Sequence, residues 1–201
     1  MSESWGAPDK DGWQRSGIEF AFYHSLVDED PAHAAPALEA LGRVAAAWSR
    51  MEHHLDALII QVNKPDHSEV LFETHPVSFS KKIDLLKKWF NKYPPLRGYK
   101  TDMRELTSRL KILANHDGKE IALSRNILLH AIPASFNADK GEIVLHHMKM
   151  LPDGNIRSRH ITVSLTNLAA FFDMVQLSNV FLGTITQEMF TLEGYEKIRK
   201  R

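Results

Sequence analysis

Arg125-Asn126-Ile127-Leu128-Leu129-His130 closes a largely apolar run that begins at Ile121, and its reading decides the fold. At the helical period, Asn126 and His130 are i,i+4 neighbours on one face. Arg125 lies about 140° round from His130, at roughly 100° per residue. An arginine, an amide and an imidazole are an unusual set for an apolar helix end. A guanidinium neutralises phosphate and an imidazole moves protons near neutral pH, two parts that RNA cleavage needs. The bland alternative is structural. His130 would then cap a helix C-terminus, where a cation meets the dipole favourably, and Arg125 would be tied to Glu52 or Asp56 as an ion pair.

Working outward, the stretch ends a long predicted helix from about Thr101 to Ala131, with apolar stripes at Met103, Leu106, Leu110, Leu113 and at Ile121, Leu123, Ile127, Leu128. Asn115-His116-Asp117-Gly118 marks a kink or break in it, and Pro133 stops it. A preceding helix starts near Ser78 or Ser80, either a good N-cap, carries Ile83, Leu86, Trp89 and Phe90, and ends before Pro94-Pro95. The first helix spans about Ala37 to Val62, where Leu38, Leu41, Ala45, Trp48, Leu55, Ile59 and Val62 recur at spacings of three and four. Pro36 sits where a first-turn proline is tolerated. Glu52 falls on or near that stripe, either as a solvated flank carboxylate or as a partner that positions Arg125.

Beyond the motif, a β-hairpin is expected over residues 142–164, since Asp153-Gly154 between β-rich runs is a strong turn signal. A two-residue loop there would set His147 opposite His160, a cross-strand pair short of a zinc site's ligand count. The last helix begins near Thr166. Leu177, Val180 and Phe181 lie off its main stripe, as on a helix that packs against a second subunit. The predicted fold is mainly α: an up-and-down bundle of about four main helices with an inserted hairpin. Residues 1–36 read as an irregular acidic arm, residues 37–195 as one helical domain, and residues 196–201 as a basic tail.

Composition narrows the classes. The 201 residues are 43% hydrophobic, enough for a full core, and lack cysteine, which excludes disulfides, thiolate metal sites and a cysteine nucleophile. No signal-peptide pattern is present, and no stretch approaches the ~18 apolar residues of a membrane span. A cytoplasmic protein without cofactor, metal or membrane association is expected. Net charge is zero, yet unevenly spread. Residues 1–40 hold two Lys/Arg and eight Asp/Glu, a balance of −6. Residues 80–125 hold twelve Lys/Arg and five Asp/Glu, a balance of +7 that leads into Arg125. An RNA-facing surface would want that asymmetry, although Lys81, Lys82, Lys87, Lys88 and Lys92 also read as one solvated helix face. Phosphate loops, dinucleotide fingerprints, nucleophile elbows and helix-turn-helix patterns are missing.

The Arg125-Asn126-x-x-x-His130 pattern resembles the RxxxxH motif of the HEPN superfamily. The resemblance implies a small all-helical domain and a homodimer. It implies a metal-independent endoribonuclease site in which Arg125 clamps phosphate, His130 acts as base or acid, and Asn126 orients His130 or the substrate. A toxin–antitoxin or anti-phage role, with RNA and a protein antitoxin as partners, is implied with it. The alternative from another class is a non-enzymatic dimeric interaction or nucleotide-binding module in which Arg125, Asn126 and His130 are structural.

Overall fold

The computed structural model describes residues 14–16, 30–63, 78–92, 94–115, 124–150, 152 and 156–191. The chain is mainly helical. Its elements are β1 (Gln14–Ser16), α1 (Pro31–Asn63), α2 (Phe79–Lys92), a 3-10 helix (Pro94–Tyr99), α3 (Lys100–Asn115), α4 (Arg125–His130), β2 (Ile132–Asn137), β3 (Glu142–Met150), β4 (Ile156–Ser164) and α5 (Leu165–Phe190). Two compact units result. The first comprises Met1–Arg43 and Asp117–Ala170, the second Val44–His116 and Phe171–Arg201.

Local chemistry sets the helix ends. α1 starts six residues before the expected Ala37. Asp30 is its cap, accepting the Ala32 N–H on Oδ1 at 3.1 Å, and Pro31 takes the first helical position, where its missing N–H costs nothing. Pro36 therefore lies inside the helix rather than at its start. Ser78, rather than Ser80, caps α2, with its carbonyl accepting from Lys82 N at 3.1 Å. Ser164 accepts from Asn167 N at 3.1 Å and opens α5.

The first unit is built on an antiparallel sheet in the order β1-β4-β3-β2. β2 was not anticipated, because Pro133 read as a stop. An edge strand tolerates proline, and the register shifts between Pro133 and Ser135. Asn137 pairs with Glu142 across a turn closed by Gly141 at φ 62, a left-handed conformation that suits glycine. Met150 pairs with Ile156, so five residues lie between the pair, where a two-residue loop would have paired Leu151 with Ile156. The one-residue difference moves every partner: His146, not His147, faces His160, and His147 faces Arg159. The turn residues Asp153 and Gly154 lie outside the described residues. One sheet face buries Phe136, Ile143, Leu145, Ile161 and Val163. His33 of α1 bonds the Phe136 carbonyl through Nε2 at 3.0 Å.

The second unit has a helical core. Trp48, Met51, Leu55, Leu58 and Ile59 of α1, Ile83, Leu86 and Phe90 of α2, Met103 and Leu110 of α3, and Phe171, Val175, Leu182 and Ile185 of α5 are buried. Trp48 is wedged between Phe79 and Phe171, with ring centroids 5.0 and 6.1 Å away. Asn179 donates from Nδ2 to the Ala47 carbonyl at 2.9 Å, tying α5 to α1 inside this unit. Against the expectation that no segment approaches a membrane span, Leu165–Glu188 is long and apolar enough to cross one by length and composition. Its stripe of Leu168, Val175, Leu182 and Ile185 is buried, as in the core helix of a globular unit.

Candidate functional site

The six-residue motif is not the end of the long helix. It forms α4, a helix with its own start. Ser124 is extended, at φ −121 and ψ 158, and its side chain accepts from Ile127 N at 3.3 Å. A residue in that conformation cannot sit inside a helix, so α4 begins afresh rather than continuing α3. The other end is as sharp. Ala131 donates its N–H to the Ile127 carbonyl at 2.8 Å and turns extended, at φ −83 and ψ 147. Ile132 then begins β2 directly.

This arrangement places two polar residues at the ends of one six-residue helix of under two turns. Ile127, 2% exposed, anchors α4 in the first unit's core. Arg125 is half-buried at the N-terminal end and His130 is exposed at the C-terminal end. Their backbones are separated by about 7.5 Å along the axis, at 1.5 Å per residue. That span is too long for one contact between backbones. Asn126 belongs to the same helix; its side chain lies outside the described set.

Glu52 belongs to the second unit, whereas Arg125, Asn126 and His130 belong to the first. Its carboxylate accepts from Trp48 Nε1 at 2.9 Å. A buried indole N–H needs such an acceptor, and sequence reasoning overlooked the i,i+4 spacing that supplies it. Asp56, the other acid considered for Arg125, meets Lys82 Nζ at 2.6 Å. Lys82 is thus 8% exposed and departs from the solvated face expected of it, while Lys81 and Lys88 are exposed. Part of the basic segment gathers elsewhere in the second unit, where Lys87, Lys100 and Arg104 line an open pocket over Phe90 and Met103.

Within the first unit, the sheet adds a group that sequence reasoning saw only one register away. The His146 and His160 rings stack at 4.8 Å and 23°. Burial first, then the neighbouring His160 and His147, hold the His146 imidazole below the ordinary histidine pKa. Ile132, two residues after His130, is the β2 partner of His146. Among the described residues, no three His, Asp or Glu gather as a metal-binding group. The sequence matches no protein-family model, and neither the curated proteins nor the solved structures include a significant match to it.

Proposed function

We propose that the chain is a HEPN-like, RNA-binding, metal-independent endoribonuclease that acts as a homodimer, its helices forming an up-and-down bundle. The observation that carries this reading is α4 itself. An independently capped helix holds Arg125 and His130 at its two ends, with His130 exposed to solvent. Arg125 clamps the scissile phosphate, where a planar guanidinium matches the charged oxygens. His130 takes the 2′-hydroxyl proton or protonates the leaving oxygen, and Asn126 orients one of them. A single copy supplies one motif imidazole, and a second copy supplies the complementary acid or base. Exposed Leu177 and Val180, 64% and 67% accessible on α5, support a self-association surface. Antitoxin control and a cytoplasmic setting belong to the same proposal.

The test is cleavage of a mixed RNA pool by the purified chain in excess EDTA, beside Arg125→Ala and His130→Ala. Cleavage lost in both folded variants supports the nuclease. Absence of cleavage, or cleavage that survives both substitutions, favours the second reading, a dimeric interaction or nucleotide-binding module. The exposed apolar pair on α5 supports that reading without requiring chemistry.

A further inference from the structure

The sheet of the first unit changes character along its length. At one end, the face that carries the Ile143–Val163 and Leu145–Ile161 pairs is core. Two residues further on, the same face carries His147 opposite Arg159, and two beyond that Lys149 opposite Arg157, since alternate residues share a face. Arg15 of β1 occupies the register position across from Arg157. A row of three cationic residues therefore crosses β3, β4 and β1, with His147 and Arg159 in the row behind it. β4 contains no acid, and Glu142, the one acid of β3, stands at the opposite end of the strand, about 24 Å from Lys149 at ~3.4 Å per residue. Lys149 and Arg157 are exposed, Arg159 and His147 half-buried. Like charges placed directly opposite weaken a sheet.

Its position relative to α4 follows from topology. β2 begins at Ile132 opposite His146, and β3 continues beyond that point to Met150. Because β2 is antiparallel to β3, the chain before Ile132 approaches from the side of His147–Met150. That chain is α4, which touches β3. α4, which carries Arg125 and His130, thus adjoins the sheet on the side of its cationic end.

We propose that Lys149, Arg157 and Arg159, with His147, form a phosphate-binding platform that holds single-stranded RNA and leads it to α4. The inference rests on the RNA reading of α4. The lysine and arginines neutralise successive backbone phosphates, and the guanidinium and imidazole planes of Arg159 and His147 are surfaces on which unstacked bases lie.

The test is fluorescence anisotropy of a labelled 2′-O-methyl oligoribonucleotide, which cannot be cleaved through its 2′-oxygen, across a salt series. Full-length Lys149→Gln/Arg157→Gln is compared with Lys81→Gln/Lys88→Gln, which removes the same charge from α2, after circular dichroism establishes that both are folded. Loss of two phosphate contacts lowers the log–log salt slope by about 1.4 and affinity by about 25-fold at 0.1 M salt, at ~0.7 per contact for single strands. The α2 variant should bind like the parent. Equal weakening in both variants, or none in the first, overturns the platform. Cleavage of ordinary RNA is scored separately. Binding that depends on Lys149 and Arg157 without His130-dependent cleavage keeps the platform and removes the nuclease; cleavage with the platform variant binding normally does the reverse. A chain that binds no RNA removes both. A DNA strand of the same sequence shows whether the platform reads only phosphate or also the 2′-oxygen.

Discussion

His146 and His160 stack across β3 and β4 with ring centroids 4.8 Å apart, one 1% exposed and the other open to solvent. A buried imidazole beside two others is most stable uncharged, and its pKa is accordingly lowered, chiefly by burial. Between that lowered value and about 6.5, the unfolded chain binds more protons than the folded one, so stability rises with pH. The contribution is complete above about pH 6.5 and is lost as pH falls through the folded pKa. Urea midpoints at pH 7.5 and 5.0 should therefore fall on acidification by more in the parent chain than in His146→Gln. Equal falls would assign the acid sensitivity to other groups.

Glu52 tests a second relationship. If its role is to accept from Trp48, Glu52→Ala orphans a buried indole N–H and destabilises by roughly 1–3 kcal/mol. Glu52→Gln keeps an acceptor oxygen and should lose much less. Trp48→Ala removes the ring packed by Phe79 and Phe171 and should cost about 3–5 kcal/mol. Thermal denaturation of the three variants gives the order. If Glu52 instead positions Arg125, Glu52→Gln would depress RNA cleavage while leaving the midpoint unchanged.

These residues also mark what the sequence discloses. The stripe of Trp48, Leu55 and Ile59 and that of Ile83, Leu86, Trp89 and Phe90 are buried as periodicity predicts, because a helix's core face follows from spacing alone. The motif's helical state was legible too. Its separate cap was not, since Ser124 reads equally well as a small polar residue within an apolar helix. β2 was hidden because edge position, unknowable from a single strand, is what makes Pro133 acceptable. The register error came from loop length: Asp153-Gly154 signals a turn, while only the pairing of Met150 with Ile156 fixes which residues flank it. One residue of difference decides which histidine is buried.

The Lys82–Asp56 pair gives a prediction about charge in the helical unit. Its 2.6 Å contact joins a lysine side chain 10% exposed to an aspartate side chain 32% exposed. Asp56→Ala leaves a nearly buried ammonium without that carboxylate. Solvent reaches a third of the site, so the penalty is set below the 3–5 kcal/mol of a fully buried pair, at about 1–3 kcal/mol. Lys82→Met fills similar space without charge and should be milder. Denaturant midpoints would test this, and a larger loss in Lys82→Met than in Asp56→Ala would mean that the aspartate, not the lysine, is the group that needs its partner.

The acidic N-terminal segment makes the last prediction. Residues 1–29 carry six acids and two bases, a balance of −4. Their described part, β1, is hydrogen-bonded to β4 alongside Ile156, Arg157 and Ser158. A net negative segment tethered beside cations competes with RNA phosphates for them. Deleting residues 1–29 should therefore raise affinity for the uncleavable oligoribonucleotide at 0.1 M salt. The gain should shrink at 0.5 M, where the Debye length falls towards ~4 Å and salt itself screens the segment's charge from the cations. Because deletion also removes an edge strand, the full-length Asp9→Asn/Asp11→Asn/Glu19→Gln/Asp28→Asn variant is the paired measurement. It keeps β1 while removing four negative charges, and should reproduce most of the gain. Unchanged affinity in that variant would mean that the segment does not screen the cationic end of the sheet, and any effect of deletion would then come from loss of the strand itself.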